Sequence, residues 1–535
     1  MPKVTDVYHD EDDIVKAIEA IPNKAACGPD GWSALLVKQI KIPLARILGR
    51  ILFKSLKCGT FPEALKDTFV MGIFKAGSKT EASNYRPIAL TSHISKILER
   101  VIRKDIVNHL TMHELWDSRQ HGSRAGHSTL SQLLAHQDFI LQNLEKKVNV
   151  DVIYLDFSKA FDRVDHGVLL SRVKALGIQG NLGSWLGTFL LGRRQRVKVG
   201  NSFSEPEIIL SGVPQGSVLG PIFFLVFILD MGLNSIARAL LYVDDSKVSM
   251  PVRNEEDVRA FQEEMEIYYS WARCNNMDFN SLKFVVLRYG KDQNLKNDTI
   301  YFSDEMAAPI DSLHSHKDLG VMMSADGTFS DHIESVIKKV RKRIGWLCRT
   351  FYSRDLQFMR QMYVSVIRPH IDYCSQLWGP GEGPHLDKLE KLQAYFTRLI
   401  PSIRSLTYVD RLKALKIQSI QRRFDRYKIT YVRKILMKIV PNPGISQRTD
   451  ESHRLGLTLE IPKVNSKLRS DSFIVSGPRI FNSIPKELRT LEGSMETFKG
   501  HLDEFLSLIP DIPRTQSGES NRLDSQINSW KWTLR

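Results

Sequence analysis

The spacing of apolar residues along the chain predicts several long amphipathic helices. In the segment 255–277, apolar side chains recur every three or four residues, which places them on one face of a helix. These positions are Val258, Phe261, Met265, Tyr268 and Ala272. The segment 331–351 has the same spacing and predicts a helix whose polar face is strongly basic. Segments 1–58, 159–178 and 351–436 are also predicted to be mainly helical.

A second group of segments has the β-branched, partly alternating composition of strands. The clearest is Val148–Phe157, which ends close to Asp156. Shorter segments of the same kind are 69–74, 193–200 and 283–290. Ala239–Met250 has two β-rich runs joined at Asp244 and Asp245, and it predicts a hairpin. Helices and strands together predict a protein of the α+β class.

Length and charge narrow the class of protein. A chain of 535 residues is expected to form three or four domains or subdomains. Its 42% hydrophobic and 25% charged residues are typical of globular proteins. The 75 Lys and Arg residues exceed the 60 Asp and Glu residues and give a net charge of +15. This excess favours a polyanionic partner, although a merely basic protein would have the same composition.

Cysteine usage and apolar runs argue against a secreted or membrane protein. The 5 cysteines are scattered and form no CxxC pair, which argues against a disulfide framework or a zinc site. The N-terminus lacks an apolar signal core. The longest apolar run, Ile222–Leu229, is too short to cross a bilayer. We therefore expect an intracellular protein without a membrane partner.

Three acids form the strongest candidate site. Asp156 lies at the end of a predicted strand, and Asp244 and Asp245 lie at the tip of the predicted hairpin. Two carboxylates about 4 Å apart repel each other by about 4 kcal/mol at an effective dielectric of 20. Divalent cations offset such repulsion, and Mg²⁺ prefers hard oxygen ligands. Taken alone, the Asp244–Asp245 pair favours a solvated turn over a metal site.

The motifs around these acids occur in an order that resembles the reverse transcriptases of non-LTR retrotransposons, near the jockey-like and chicken-repeat-like clades. The matching pieces include "NYRPIALTSHISKILERVI", "QHGSRAGHSTLSQLL", "YLDFSKAFDRVDHGVLL", "SGVPQGSVLGP", "YVDD" and "HKDLGVMMSADGTFSDHI". The resemblance covers almost the whole chain. It implies an RNA-directed DNA polymerase with a right-hand fold, which has fingers, a palm with an antiparallel sheet, and a helical thumb.

The resemblance also implies a division of the chain. The expected regions are an N-terminal helical extension (1–58), fingers (59–147), a palm with a fingers–palm insertion (148–325), a helical thumb (326–436), and a small C-terminal domain with a polar tail (437–535). Full elements of this kind carry an endonuclease upstream. We expect none in this chain, because Met1 lies just ahead of the fingers.

By resemblance, the three acids are the catalytic, metal-binding residues of the polymerase. Asp156, Asp244 and Asp245 are expected to hold two Mg²⁺ ions, with Mn²⁺ as a substitute. The carbonyl of Phe157 is a further expected ligand. Two such ions about 3.5–4 Å apart can clamp an in-line phosphoryl transfer.

Further residues are expected to contact the incoming nucleotide. By resemblance they are Lys75, Arg86, Phe161, Gln215, Gly216 and Lys283. Arg86 can bind a phosphate through two hydrogen bonds, and Lys283 matches a lysine that protonates pyrophosphate. The ring of Phe161 matches a steric gate that excludes a ribose 2′-hydroxyl. Core packing is the competing interpretation of Phe161.

Two segments match regions that contact template and primer. Asp318, Leu319 and Gly320 match the turn of a hairpin that grips the primer. The basic residues of the predicted thumb helix are Lys338, Lys339, Arg341, Lys342 and Arg343. They are expected to contact nucleic-acid phosphates, although a solvated helix face would contain the same residue types.

The expected partners are an RNA template, a DNA primer, deoxynucleoside triphosphates and the RNA of the element itself, in nucleus and cytoplasm. The sequence does not give an oligomeric state. In "YVDD", Val243 replaces the alanine usual in these clades, and a β-branched residue suits a strand. A catalytically decayed or domesticated RNA-binding copy, an intron maturase and an interaction-only basic protein are the alternative interpretations.

Overall fold

The structure is a computed structural model that describes residues 2–292, 295–296, 299–303, 308–448, 457–517 and 523. Helices alternate with strands up to residue 324, and the described chain after it is helical apart from one isolated β-bridge. This arrangement confirms the predicted α+β class. The predicted polar tail after Arg514 falls mostly outside the described residues. None of the described helices combines the length and the apolar content needed to cross a bilayer.

The first part of the chain contains nine of the described helices. They are α1 Glu11–Glu19, α2 Ala34–Gln39, α3 Lys41–Lys57, α4 His93–Met112, α5 Thr129–Glu145, α6 His166–Ala175, α7 Gly180–Leu190, α8 Gly220–Phe227 and α9 Glu255–Cys274. The predicted helix over 159–178 begins later in the structure than expected. The side chain of Asp165 accepts a hydrogen bond from the Val168 N–H at 2.9 Å, and this cap begins α6 at His166.

The second part of the chain contains twelve described helices, several of them short. They are α10 Ser330–Thr350, α11 Leu356–Met362, α12 Arg368–Asp372, α13 Ser375–Trp378, α14 Pro384–Arg398, α15 Tyr408–Leu415, α16 Ile420–Leu436, α17 Lys467–Asp471, α18 Phe473–Ser483, α19 Lys486–Arg489, α20 Met495–Leu508 and α21 Arg514–Ser517. A π-helical turn, Tyr363–Ile367, joins α11 to α12. The five apolar positions predicted for α9 are all buried, which confirms its amphipathic pattern.

Twelve described strands form three sheets. They are β1 Asp67–Phe74, β2 Tyr85–Leu90, β3 Asn149–Leu155, β4 Arg194–Val199, β5 Ser202–Phe203, β6 Glu207–Ile208, β7 Arg238–Tyr242, β8 Asp245–Val252, β9 Val285–Tyr289, β10 Asp311–Leu313, β11 Ser315–Asp318 and β12 Val321–Ser324. The first sheet has the order β2-β1-β4-β5, with β6 also on β4. β11 and β12 form a separate hairpin.

The central sheet has the order β10-β9-β3-β8-β7. Its β9–β3, β3–β8 and β8–β7 pairs are antiparallel, as predicted. The β9–β10 pair is parallel, so the prediction of an antiparallel sheet is wrong at this edge. The connection from Tyr289 to Asp311 is long enough for the crossover that a parallel pair requires.

Strand β3 is buried along its whole length and separates two hydrophobic cores. Val150, Val152 and Tyr154 belong to the core shared with the C-terminal helices. Ile153 and Leu155 belong to the core built with the N-terminal helices. Because successive side chains of a strand point to opposite faces, both faces of β3 are covered by protein. The strand is therefore held firmly, and the position of its last residue is fixed.

A buried ion pair crosses the central sheet. Asp151 on β3 lies opposite Arg288 on β9, and the Arg288 Nη2 atom is 2.9 Å from the Asp151 carboxylate. The hydroxyl of Tyr301 donates a second hydrogen bond to the same carboxylate at 2.7 Å. Arg288 also donates to the carbonyl of Thr299. This network attaches the segment after β9 to the sheet.

Replacing Arg288 by Met is expected to lower the free energy of unfolding by about 3–5 kcal/mol, because the buried Asp151 would lose its partner. Urea denaturation followed by circular dichroism measures the change. In the double variant with Asp151→Asn, much of the loss should be recovered. The matched control is Arg194→Met, which breaks an exposed pair with Asp67 and should have a much smaller effect. Equal losses at the two arginines would contradict the prediction.

Candidate functional site

The pairing of β3 with β8 places two of the three acids side by side. Leu155, the last residue of β3, lies opposite Ser246. The next position on each strand is Asp156 on one side and Asp245 on the other, so the two acids continue the same ladder. Directly opposed residues of an antiparallel pair have Cα atoms about 4.5–5.5 Å apart. Asp156 and Asp245, which are 89 positions apart in sequence, are therefore neighbours.

The third acid lies in the turn between β7 and β8. Tyr242 pairs with Asp245, which leaves Val243 and Asp244 as the two-residue loop. The prediction of a hairpin is confirmed, but its turn lies one residue earlier than expected. Val243 is in this turn with φ of 61°, so the expectation that it suits a strand is wrong.

Burial and mutual repulsion dominate the electrostatics of the acids. Burial raises the pKa of Asp244, and the negative charge of Asp156 raises it further. The positive charges of Arg86 and Lys75 act in the opposite direction on the pKa of Asp244. Asp245 is exposed at its surface, but desolvation by the surrounding protein, followed by the charges of Asp244 and Asp156, raises its pKa to about 6. The site thus disfavours its own negative charge and would gain stability from an added cation.

Lys283 supplies one positive charge to the site. Its Nζ atom is 2.6 Å from Oδ2 of Asp156. The lysine lies in a short 3₁₀ turn just before β9, and Asn280 at the start of that turn donates its N–H to the Asp156 carbonyl at 2.7 Å. The ring of Phe157 is buried against Phe279, with ring centroids 4.5 Å apart. The predicted proximity of Lys283 to the acids is therefore present, and its role remains a prediction.

The donor set fits a hard divalent cation. Asp156, Asp244 and Asp245 supply carboxylate oxygens, which are the ligands that Mg²⁺ prefers. Within the described part of the chain, no three His, Cys, Asp or Glu side chains form a ready-made metal cage. Desolvation by the surrounding protein is the main cause of the raised pKa of Asp244 and Asp245, and the charge of Asp156 adds to it.

The predicted nucleotide-binding residues lie on two elements near the acids. Arg86 is exposed on β2, and Lys75 is exposed at the end of β1. The backbone of Ala89 on β2 donates to the carbonyl of Gln215 at 2.8 Å. Gly216 has φ of 143°, and a Cβ atom there would lie 2.3 Å from the carbonyl oxygen of Ala89. The loop can approach β2 this closely only because residue 216 has no side chain.

Phe161 lies in a 3₁₀ turn shortly after β3. Its ring is half-buried and stacks on Phe224 of α8, with centroids 4.8 Å apart and planes within 11°. Its carbonyl accepts the N–H of Val213, just before the Gln215–Gly216 loop. One part of the ring thus packs on the core while another part remains accessible, so both interpretations of Phe161 keep support.

The predicted primer-contact turn is joined to strand β8. Leu319 and Gly320 form the two-residue turn between β11 and β12, with φ of 44° and 88°. Asp318 just before the turn is buried and forms an ion pair with Lys247 of β8. Lys247 is only two residues after Asp245. The hydroxyl of Tyr373 donates to the carbonyl of Leu319 at 2.7 Å and holds the turn from its other side.

The predicted basic helix is α10, and it packs against β12. The Nδ1 atom of His332 on α10 accepts the N–H of Met322 at 3.2 Å. All five predicted basic residues are exposed on this helix: Lys338, Lys339, Arg341, Lys342 and Arg343. The opposite face buries Val336, Ile337 and Val340. The structure thus presents a continuous positive surface beside the hairpin, and its binding role remains a prediction.

Sequence reasoning missed two buried residues of this region. Lys247 is 2% exposed and Gln120 is 2% exposed. Lys247 lies within a predicted strand run, where polar residues normally face water. Gln120 opens the quoted segment "QHGSRAGHST", and its place directly before a Gly-containing stretch was the only available signal. Lys247 is part of β8 and pairs with Asp318. Gln120 accepts a hydrogen bond from the backbone of Val243 in the β7–β8 turn.

Comparison with known proteins agrees with this geometry. Residues 73–320, which include all three acids, match a family model described as reverse transcriptase (RNA-dependent DNA polymerase). A probable RNA-directed DNA polymerase from transposon BS of Drosophila melanogaster is 30% identical over 410 residues, which are 73% of this chain and 44% of the relative. The RNA-directed DNA polymerase from mobile element jockey of Drosophila funebris is 28% identical over 73% of this chain and 43% of its own length.

These matches define the class of protein as a reverse transcriptase. Within that class, the chain belongs to the reverse transcriptases of non-LTR retrotransposons, as its relatives from transposon BS and jockey indicate. The predicted resemblance is therefore confirmed. The chain spans less than half the length of these curated relatives.

Asp245→Asn is expected to raise the melting temperature at about pH 7.5 in the absence of divalent cations. The pKa of Asp245, about 6, lies above its ordinary value of 3.8, so the folded chain holds this proton more tightly than the unfolded chain. The acid therefore destabilises the fold as the pH rises from about 4 through about 6, and Asn removes that effect. Differential scanning calorimetry in EDTA measures the change.

The gain should be largest at about pH 7.5 and should vanish near pH 4. The matched control is Asp471→Asn, the same change at an exposed acid on the distant helix α17, which should give no gain that depends on pH. Millimolar Mg²⁺ should stabilise the unmutated chain more than the Asp245→Asn variant. A gain of equal size at both pH values would contradict the proposed repulsion.

Proposed function

We propose that the chain is an RNA-directed DNA polymerase that extends a DNA primer on an RNA template. The observation that carries this proposal is the convergence of Asp156, Asp244 and Asp245 at the end of the central sheet, within the region that matches the reverse transcriptase family. The net charge of +15 supports a nucleic-acid partner. For an intact element, the reaction would be target-primed synthesis at nuclear DNA.

The fold supports a right-hand interpretation of the chain. We assign residues 59–147 to fingers, 148–325 to a palm and 326–436 to a helical thumb. The central sheet would be the floor of the palm, and the sheet of β1 and β2 would belong to the fingers. The helices of 1–58 would form an N-terminal extension, and 437–535 a small C-terminal domain. The burial of β3 between two cores supports a rigid floor under the acids.

Asp156, Asp244 and Asp245 would hold the metal, with the Phe157 carbonyl as a further ligand. When bound, Mg²⁺ supplies the positive charge that neutralises the reacting phosphates and promotes attack by the primer hydroxyl. Lys283, whose ammonium group lies beside Asp156, would hold the proton that the leaving pyrophosphate needs.

The residues around the acids would orient the nucleotide. Arg86 and Lys75 extend positive charge over Asp244 and would bind the triphosphate. The accessible edge of Phe161 would lie beneath the sugar, where an additional hydroxyl would clash. Gln215 and Gly216 would approach the nascent base pair, because the loop is docked on β2 through its backbone.

The primer and template would lie along the hairpin of β11 and β12 and the helix α10. The turn Asp318–Gly320 is fixed by Lys247 and Tyr373, so it presents a rigid backbone. The exposed basic face of α10 would contact phosphates, and each such contact adds about 0.7–0.9 to the slope of log affinity against log salt. Binding by this face would therefore weaken steeply with salt.

The pair of substitutions Asp244→Asn and Asp245→Asn is expected to lower primer extension by at least about a thousandfold, because both would remove metal-binding charge. The assay supplies a primed RNA template, Mg²⁺ and the four deoxynucleotides, and gel electrophoresis measures the product. The matched control is Asp410→Asn on α15, which should extend like the unmutated chain. Template binding, measured by fluorescence anisotropy, should be retained in both variants.

An unmutated chain that binds the primed template but does not extend it would refute the polymerase. That result would favour the alternative, a decayed or domesticated RNA-binding copy of such an element. The acids are all present, so the fold itself gives no reason to expect loss of activity.

Phe161→Val is expected to raise the ratio of ribonucleotide to deoxynucleotide incorporation by about tenfold or more, because the smaller side chain leaves room for the 2′-hydroxyl. Steady-state incorporation of a single nucleotide measures the ratio. The matched control is Phe224→Leu, which removes the buried stacking partner of Phe161 without touching the accessible edge. A similar change of sugar preference in both variants would assign Phe161 to core packing.

A further inference from the structure

The turn that carries Asp244 contains a backbone conformation that its sequence does not favour. Val243 is the first residue of the two-residue loop and has φ of 61°. A β-branched residue is a steric outlier at positive φ, and its conformation persists only where the surrounding structure holds it. Hairpin loops with positive φ at this position usually contain Gly. Contacts from outside the turn must therefore maintain it.

Gln120 makes such a contact. Its Oε1 atom accepts hydrogen bonds from two backbone N–H groups, that of Gly122 at 2.8 Å and that of Val243 at 2.9 Å. The side chain is 2% exposed, so water does not compete for the acceptor. A loss of this acceptor would leave the part-buried N–H of Val243 without its partner, which costs more than removing donor and acceptor together.

The backbone around Gln120 is itself fixed to the hairpin. Residues Arg119–His121 run beside β7 and extend the central sheet by a short bridge between Gln120 and Leu241. The Leu241 N–H donates to the carbonyl of Arg119 at 2.9 Å, and the His121 N–H donates to the carbonyl of Leu241 at 2.8 Å. The carboxamide therefore reaches the turn from a segment that is hydrogen-bonded to β7.

Gly122 completes the contact. A Cβ atom at this position would lie 2.6 Å from Cγ2 of Val243 and 2.7 Å from its backbone nitrogen. The chain can pass this close to the turn only because residue 122 has no side chain. The branched side chain of Val243 fills the space that Gly122 leaves. Gln120, Gly122 and Val243 thus form one interlocking unit, which we name the turn clamp.

We propose that Gln120 is a positioning residue, which holds the Val243–Asp244 turn in its strained conformation so that the Asp244 carboxylate faces Asp156. The Gln120 carboxamide reaches Asp244 through the backbone of the turn, by way of the Val243 N–H. The effect of the clamp on polymerisation rests on the function proposed above. The effect of the clamp on the backbone of the turn does not depend on that function.

The central test is Gln120→Met, which keeps the length of the side chain and removes the acceptor. The rate constant kcat for primer extension should fall by about tenfold or more, while the KM for the deoxynucleotide should change by less than about threefold. Hydrogen exchange of the Val243 amide should accelerate by at least about tenfold. The matched control is Gln137→Met, the same change at a buried glutamine of α5, which should alter neither quantity.

A second substitution separates positioning from a general structural role. Val243→Gly relieves the strain at positive φ, so the turn should then depend less on Gln120. In that background, Gln120→Met should lower kcat by less than about threefold. An equal loss of kcat in both backgrounds would overturn the proposal, and so would an unchanged exchange rate of the Val243 amide.

Mn²⁺ affinity provides a readout that does not require catalysis. Electron paramagnetic resonance of free Mn²⁺ should show weaker binding by Gln120→Met than by Gln137→Met, and Val243→Gly should restore it. Equal affinities in the two glutamine variants would overturn the positioning of Asp244. If the unmutated chain binds Mn²⁺ but extends no primer, the proposed polymerase fails while the clamp is still tested by affinity and amide exchange.

Discussion

The antiparallel ladder between β3 and β8 is the interaction on which the candidate site depends. It brings Asp156 and Asp245 to adjacent positions, although their negative charges repel each other. The ladder can impose this because β3 is buried on both faces and cannot shift its register without exposing one of its two cores. The stability of the cores is thus used to hold like charges together.

The surroundings of the acids reduce this repulsion without removing it. Lys283 pairs with Asp156, and the charges of Arg86 and Lys75 act on Asp244, but Asp245 keeps a pKa of about 6. A site with complete internal compensation would have little affinity for a cation. The remaining imbalance is the property that a metal-dependent enzyme needs, because binding energy is then available to the incoming ion.

Much of this arrangement could be predicted from the sequence. The spacing of apolar residues correctly identified α9 and α10, and the β-branched run correctly identified β3. The placement of Asp156 at a strand end and of Asp244 in a hairpin turn followed from these elements. Local patterns suffice here, because each prediction concerns residues that are close in sequence.

The residues that were missed depend on contacts between distant parts of the chain. Polar and apolar residues alternate along β8, and this alternation predicts that the side chain of Lys247 faces water. That side is covered by β11 and β12, which no local pattern reveals. The conformation of Val243 is equally hidden, since a sequence gives no φ angle and Val is a poor candidate for a positive one. Gln120 acquires its role only once the hairpin lies beside it.

The buried ion pair of Lys247 and Asp318 constrains how this chain can change over generations. Loss of either residue alone leaves a buried charge without a partner, a state that costs about 3–5 kcal/mol. Replacement of both by apolar residues of similar volume can be nearly neutral. A change of both residues, one at a time, to an apolar pair therefore passes through a single variant that is less stable than either end point. A lineage that drifts without selection can pass through it freely, whereas one that must keep a folded product tends to retain both charges.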